Sequence, residues 1–454
     1  MKTIHIAYIG GGSRGWARGF MSDLAAQDDF CGEVRLYDID QEAAEENVII
    51  GMKFNHAEHA KSHWEYRAAK TREEALEGAD FVVISILPGT FDEMESDVHT
   101  PEKYGIYQSV GDTVGPGGVI RALRTIPMME EIAKSVETCC PKAWVINYTN
   151  PMTVCMRTLY RTFPRIKAFG CCHEVFGTQR FMANILKEMR GIEELDREEI
   201  KVNVLGVNHF TWFTAASYQG EDLFPVYRQF ALEHPEGTKV KSDDNWMNNS
   251  FSSTEKVKLD LFLRYGYIAA AGDRHLAEFC RGSWYLKDPA CVDGWHFGLT
   301  SVAWRKKDLA ERLEKTKRLV SGEEEVQIVG TGEDGVKQIR ALLGLGDMVT
   351  NVNVPNVGQI PNLPLGVIVE TNALFGADRV SPICAGEIPK EIYGLIAPIV
   401  GEQELTVEAG LRRDLEMAYR AFSADNLVQL PLQDSKKLFC EMVENTKSYL
   451  LEYK

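Results

Sequence analysis

Ile4-His5-Ile6-Ala7-Tyr8-Ile9-Gly10-Gly11-Gly12-Ser13-Arg14-Gly15-Trp16 is the stretch that decides the fold. An apolar run suited to a buried strand leads into three consecutive glycines, and a helix-compatible segment follows. Gly10, Gly12 and Gly15 match G-x-G-x-x-G, with Ser13 inside the loop. In that pattern glycine permits the tight turn, lets backbone approach a pyrophosphate and packs helix against strand. The phosphates would rest on free amides at the helix N-terminus. Val34-Arg35-Leu36-Tyr37-Asp38 reads as a second strand ending in an acid. Asp38 is placed to accept from a ribose 2′-hydroxyl, which favours NAD+ over its 2′-phosphorylated form.

Outward from this loop, residues 1–170 alternate strand-like and helix-like segments. Strands are expected at Ile4–Ile9, Val34–Tyr37, Phe81–Ile86, Trp144–Asn147 and Ile166–Phe169, with helices such as Gln41–Asn55 and Val119–Glu137 between them. This rhythm means a parallel sheet with right-handed crossovers. Ligands on such sheets lie at the carboxyl ends of strands. The polar loops Ser85–Gly89, Asn147–Pro151 and Gly170–His173 fall there. Beyond residue 200 the rhythm breaks into a strand at Val202–Val207, mixed segments, and a largely helical stretch from Glu387 to Asp425. The expected architecture is α/β, with a packed C-terminal α+β part.

Composition narrows the function. The chain has 454 residues, 44% hydrophobic and 26% charged, which suits a globular enzyme of two domains or one interlocked body. A formal charge of −16 argues against nucleic-acid binding, and an anionic ligand would need local cations. Ten cysteines show no C-x-x-C spacing and no disulfide framework, so a reducing cytoplasm is expected. No apolar run reaches the ~18 residues of a membrane span.

Several polar residues could carry chemistry. Cys172 and His209 each follow a predicted strand closely, and thiolate plus imidazole could hold a divalent metal with positions left open for substrate oxygens. Each could equally be an ordinary buried side chain. Asp273-Arg274-His275 joins an acid, a cation and an imidazole after Gly272; Asp273 is a possible base or simply a helix cap. Asp112 lies in Gly111-Asp112-Thr113-Val114-Gly115-Pro116-Gly117-Gly118, where the glycines suggest backbone close to a ligand. His56, His59 and His63 share a helical face but lie far from the cofactor loops.

Seven strings in order resemble glycoside hydrolase family 4: Ala7–Ser13, Gly111–Gly115, Asn147–Met152, Gly170–His173, Gly206–His209, Gly272–Phe279, and Asn353–Asn356 with Asn362–Pro364. Within that family the chain looks most like the bacterial α-galacturonidases, through Gly170–Gly177 and Gly272–His275. The resemblance implies a fold like lactate and malate dehydrogenases. It implies a Rossmann-type NAD-binding domain at 1–200 and an α+β substrate, metal and oligomerisation domain at 201–454. It also implies an unusual route, outside the two-carboxylate scheme of most glycosidases. The sugar is oxidised transiently at C3, deprotonated at C2, loses its aglycone by elimination, takes up water and is reduced again.

On this resemblance NAD+ and a divalent metal, usually Mn2+, are the cofactors. Cys172 and His209 are the metal ligands, His173 is the general acid, Asp273 is the C2 base with Tyr267 as its rival, and Asp112 and Asn150 are substrate contacts. Arg274, Arg281 and His275 are candidates for the uronide carboxylate. The expected partner is a small uronide, with neither nucleic acid nor membrane, and the expected assembly is a homodimer or homotetramer. An α-glucuronidase, an α-galactosidase or a plain NAD-dependent 2-hydroxy-acid dehydrogenase are the alternatives.

Overall fold

The computed structural model describes residues 2–238 and 253–454. Its centre is a nine-stranded sheet. The parallel part comprises β1 (Lys2–Ile9), β2 (Phe30–Tyr37), β3 (Trp64–Ala68), β4 (Phe81–Ile84), β5 (Trp144–Asn147) and β6 (Lys167–Gly170), in the order β3-β2-β1-β4-β5-β6. That is the doubly wound order of dinucleotide-binding folds. The expected strands are all present, and β3 adds one that the sequence reading did not anticipate. Its alternation of buried Trp64 and Tyr66 with exposed Glu65 and Arg67 is that of a half-buried edge strand.

A second sheet comprises β7 (Lys201–Val207), β8 (Phe210–Tyr218), β9 (Glu221–Asp222) and β10 (Ile268–Ala269). The chain then returns to the first sheet. β11 (Met348–Pro355), β12 (Ile368–Gly376) and β13 (Arg379–Pro382) extend it antiparallel beyond β6, with Asn353 opposite Gly170. Strands from both sides of residue 200 therefore share one sheet. The cores are shared too: Phe169 packs with Val352 and Phe375, while Val119 and Leu123 pack with Trp212 and Phe422. Among the described residues, no helix is long and apolar enough to cross a membrane.

The glycine-rich segment 111–118 opens the helix Gly115–Cys139. A Cβ on Gly117 would lie 2.8 Å from the Asp97 carbonyl oxygen, and one on Gly118 would lie 2.6 Å from the Thr113 carbonyl carbon. At these two glycines the close approach is of backbone to backbone. Asp97 forms a fully buried ion pair with Arg124 on this helix. The Gly115 amide donates to Asp425 Oδ2 at 2.8 Å. Near Asp425, buried Glu402 lies on the helix Lys390–Arg412.

Burial pushes both the Glu402 and Asp425 carboxyls up, and the nearby Asp425 pushes Glu402 further. A carboxyl whose folded pKa is raised favours the native state while protonated, and that advantage is lost as pH climbs above its unfolded value near ~4. Glu402→Gln should therefore raise the unfolding free energy at pH 8 by about 1 kcal/mol, and the gain should vanish near pH 4. Urea melts of both proteins at the two pH values check this.

Candidate active site

The site forms where β1, β4, β5 and β6 end. Gly10 and Gly11 both donate to the Tyr37 carbonyl at 2.9 Å, folding the loop over β2. Gly10 has φ 93°, and a Cβ there would overlap the Ser85 carbonyl at 2.0 Å, so only glycine fits. Gly12 N donates to Asp38 Oδ2 at 2.8 Å. Asp38 also accepts from Asp40 N at 3.0 Å, and its carboxylate keeps lone pairs for further donors. Ser13 Oγ accepts from Trp16 N at 3.1 Å, and Gly15 leaves the helix Trp16–Ala25 with no side-chain cap and no acid in its first turn. An uncapped, acid-free helix start behind a glycine turn suits a bound pyrophosphate. Trp16 packs on Tyr148 at 5.4 Å and faces His173 at 6.4 Å, an aromatic wall between this loop and the residues after β6.

Those residues meet the β7–β8 turn. Asn208 and His209 form the two-residue connection between Val207 and Phe210. His209 takes φ 64°, a left-handed conformation that costs a non-glycine residue roughly 1–2 kcal/mol. Residues kept in such conformations concentrate at functional sites. Burial and adjacent His275 hold the His209 imidazole neutral, its pKa lowered to about 3. Its Nδ1 lies 3.0 Å from Thr113 Oγ1, and its ring sits 4.0 Å from that of His275. His275 Nδ1 in turn lies 3.3 Å from Glu174 Oε2. Cys172 is buried in the same cluster, where burial, Glu370 and Glu174 push its thiol well above the ordinary value.

A neutral imidazole and a thiol that ionises on binding a cation form a borderline-soft donor pair. Beside them, Asn208 Oδ1 and Asn351 Oδ1 are buried without hydrogen-bond partners among the described residues. The donor set and these orphaned oxygens fit a divalent cation that retains water or sugar oxygens.

Four further expectations can be placed. Asp112 joins the cluster: burial pushes its carboxyl up, but Arg121, His209 and His275 draw it below the usual range. Asn150 is linked to it through Arg121, whose Nε donates to the Asn150 carbonyl at 3.1 Å, and Asn150 Oδ1 has no partner among the described residues. His173 Nδ1 lies 2.6 Å from Glu333 Oε1. Burial lowers the His173 pKa, but Glu333 outweighs it and lifts the value to about 9.

Asp273 is held apart. Its carboxylate accepts from Val257 N at 3.2 Å and Lys258 N at 3.0 Å, capping the helix Lys256–Tyr265, and none of it is exposed. In this geometry the acid closes a helix, and acting as the expected base would uncap it. Its rival Tyr267 lines a surface cavity of about 450 Å³ with Thr214, Tyr265 and Glu391. Arg274 donates to Gly298 O and Thr300 Oγ1 inside the protein, and Arg281 is exposed before the short helix Gly282–Tyr285. Of the three carboxylate candidates, His275 is the one in the cluster.

Glu174, Glu333 and Glu370 were not anticipated. Glu174 directly follows His173 and could have been noticed; the other two lie more than 150 residues away in sequence, in segments without a distinctive pattern.

The class follows from comparison. The Family 4 glycosyl hydrolase model matches residues 5–188, and the Family 4 glycosyl hydrolase C-terminal domain matches 204–428. The chain belongs to family 4 of the glycosyl hydrolases and is a glycoside hydrolase. It is 60% identical to an alpha-galacturonidase of Thermoanaerobacterium saccharolyticum, over 99% of this chain and 97% of that protein. The crystal structure of lplD from Bacillus subtilis superposes with a TM-score of 0.92 at 51% identity, covering 97% of this chain and all of that one. A 6-phospho-alpha-glucosidase from gut microorganisms, solved with NAD and Mn2+, shares the fold at TM-score 0.80 and 20% identity, covering 100% of both chains. A lactate dehydrogenase from a deep-sea metagenome shares it more loosely, at TM-score 0.51 and 12% identity over 90% of this chain and 100% of that one, as the resemblance implied.

If Asp273 is a cap, Asp273→Ala should lower the unfolding free energy by about 1–2 kcal/mol. Asp273→Asn, which retains one acceptor, should keep turnover. Loss of turnover in Asp273→Asn with an unchanged melting midpoint would restore the base assignment.

Proposed function

We propose that this chain is an α-galacturonidase that cleaves a short α-galacturonide by transient oxidation at sugar C3 and elimination across C1–C2. The near-full-length 60% identity to an alpha-galacturonidase carries the choice of sugar. The glycine loop and Cys172 at the strand ends of the large sheet, with His209 on the β7–β8 turn of the small sheet in the same cluster, support the choice of route.

When bound, NAD+ supplies reversible oxidation of a sugar alcohol, and a divalent cation, Mn2+ in this reading, supplies Lewis acidity to sugar oxygens. The protein's own residues do the rest. Gly10, Gly12, Ser13 and Gly15 shape the dinucleotide loop, and Asp38 offers acceptors to a ribose. Cys172 and His209 hold the cation. Asp112, kept ionised beside Arg121, and Asn150, with its open Oδ1, orient sugar hydroxyls. His173, aligned by Glu333, donates its proton to the leaving glycosidic oxygen. The ionised carboxylates facing the cluster, Asp112 and Glu174, are the acceptors this geometry offers the C2 proton. A positioned acid or base contributes about 10²–10⁴ in rate. Location in a reducing cytoplasm and assembly into two or four copies belong to the same reading.

Release of p-nitrophenol from p-nitrophenyl α-galacturonide should require both NAD+ and Mn2+. Cys172→Ser should lower it by at least about 10²-fold. In D2O, deuterium should enter the product at C2. A plain dehydrogenase would instead accumulate NADH in step with substrate and release no aglycone, and hydrolysis without C2 exchange would exclude the elimination route.

A further inference from the structure

Glu370 lies on β12 and is 1% exposed, yet among the described residues it forms no ion pair. A buried carboxylate without a cation is costly unless several hydrogen bonds compensate. Its hydrogen-bond donors are amides from two separate segments. Asn351 Nδ2 on β11 donates to Oε1 at 2.6 Å, and Asn208 Nδ2 in the β7–β8 turn donates to Oε2 at 3.2 Å. Asn351 Nδ2 also reaches the Cys172 carbonyl at 3.1 Å, and the Asn208 side chain supports the Cys172 sulfur. Asn353, opposite Glu370 in the β11–β12 register, pairs across the other side with Gly170, two residues before Cys172.

The two segments that carry the sulfur and the imidazole have no covalent reason to hold a fixed separation. One follows β6 of the large sheet, and the other is a turn of the small sheet. Glu370 is the group that engages both, through one carboxylate oxygen each.

We propose that Glu370 is a positioning residue for the cation site: by holding Asn208 and Asn351 together, it sets Cys172 against His209. This rests on the reading of those two residues as cation ligands. Glu370 touches neither sugar nor cation. It acts through the two asparagines, as residues that orient metal ligands do elsewhere.

The test is Co2+ titration of the full-length, metal-free protein. The near-ultraviolet thiolate-to-cobalt band serves as the readout, and NAD+ affinity is measured in parallel by calorimetry. Wild type should show the band and Cys172→Ser should lose it. Glu370→Ala should bind Co2+ about 10–100-fold more weakly, with a displaced or weakened band. NAD+ affinity should stay at the wild-type value. Glu370→Gln should fall between, since its amide can accept from one asparagine but presents hydrogens to the other. Wild-type cobalt affinity and band in either variant would overturn the proposal. If Glu370→Ala does not fold, Glu370→Gln decides alone. Equal loss of NAD+ and cobalt binding would mark a general structural role and overturn it as well. Absence of the band in wild type, or its survival in Cys172→Ser, would instead defeat the cation reading from which this one starts.

Discussion

One backbone pairing carries the site: Asn353 of β11 against Gly170 at the end of β6. Without it the parallel sheet would end at β6, and the loop Cys171–His173 would have solvent on one side. With it, the sheet continues into an antiparallel hairpin whose Asn351 and Glu370 lie beneath that loop. The hairpin closes a buried floor under Cys172. Burial strengthens every charge interaction above it and makes each unpaired polar group costly. The neutral His209 and the protonated thiol are consequences of that low-dielectric setting, whereas Asp112 is kept ionised against it by Arg121 and the neighbouring imidazoles.

Much of the first half was legible in sequence because its physics is local. Short apolar runs mark β1, β2, β4, β5 and β6, and glycine at Gly10 reflects a turn that no side chain tolerates. The loops that carry Asp112, Asn150, Cys172, His173 and His209 could be placed at strand ends for the same reason. What escaped is non-local. Nothing in Met348–Gly376 says that its strands return to a sheet begun at residue 2. Glu333 meets His173 only through a segment tied to Ser22 and Asp23 by Val329 and Thr331. Asp273 shows the limit most plainly. An acid after glycine reads equally as a base or a cap, and the amides of Val257 and Lys258 that it accepts from lie in a segment the sequence does not place beside it.

Charge is organised in opposition to the global balance. The chain carries −16, yet the cluster sets Arg121, His173 and His275 against Asp112, Glu174 and Glu333, with His209 neutral among them. A local field of mixed sign can admit an anionic sugar that the protein's outer surface would repel at long range. Screening at physiological salt confines the outer repulsion to about 8 Å, so the near field decides binding.

The left-handed turn at His209 has a consequence for how this protein can change. Glycine or asparagine would relax that backbone, so substitution by either would yield a sturdier molecule without the imidazole. Selection for robustness and selection for catalysis thus pull on the same peptide in opposite directions. A lineage that abandoned the chemistry while keeping the architecture would be expected to lose this imidazole among its earliest changes.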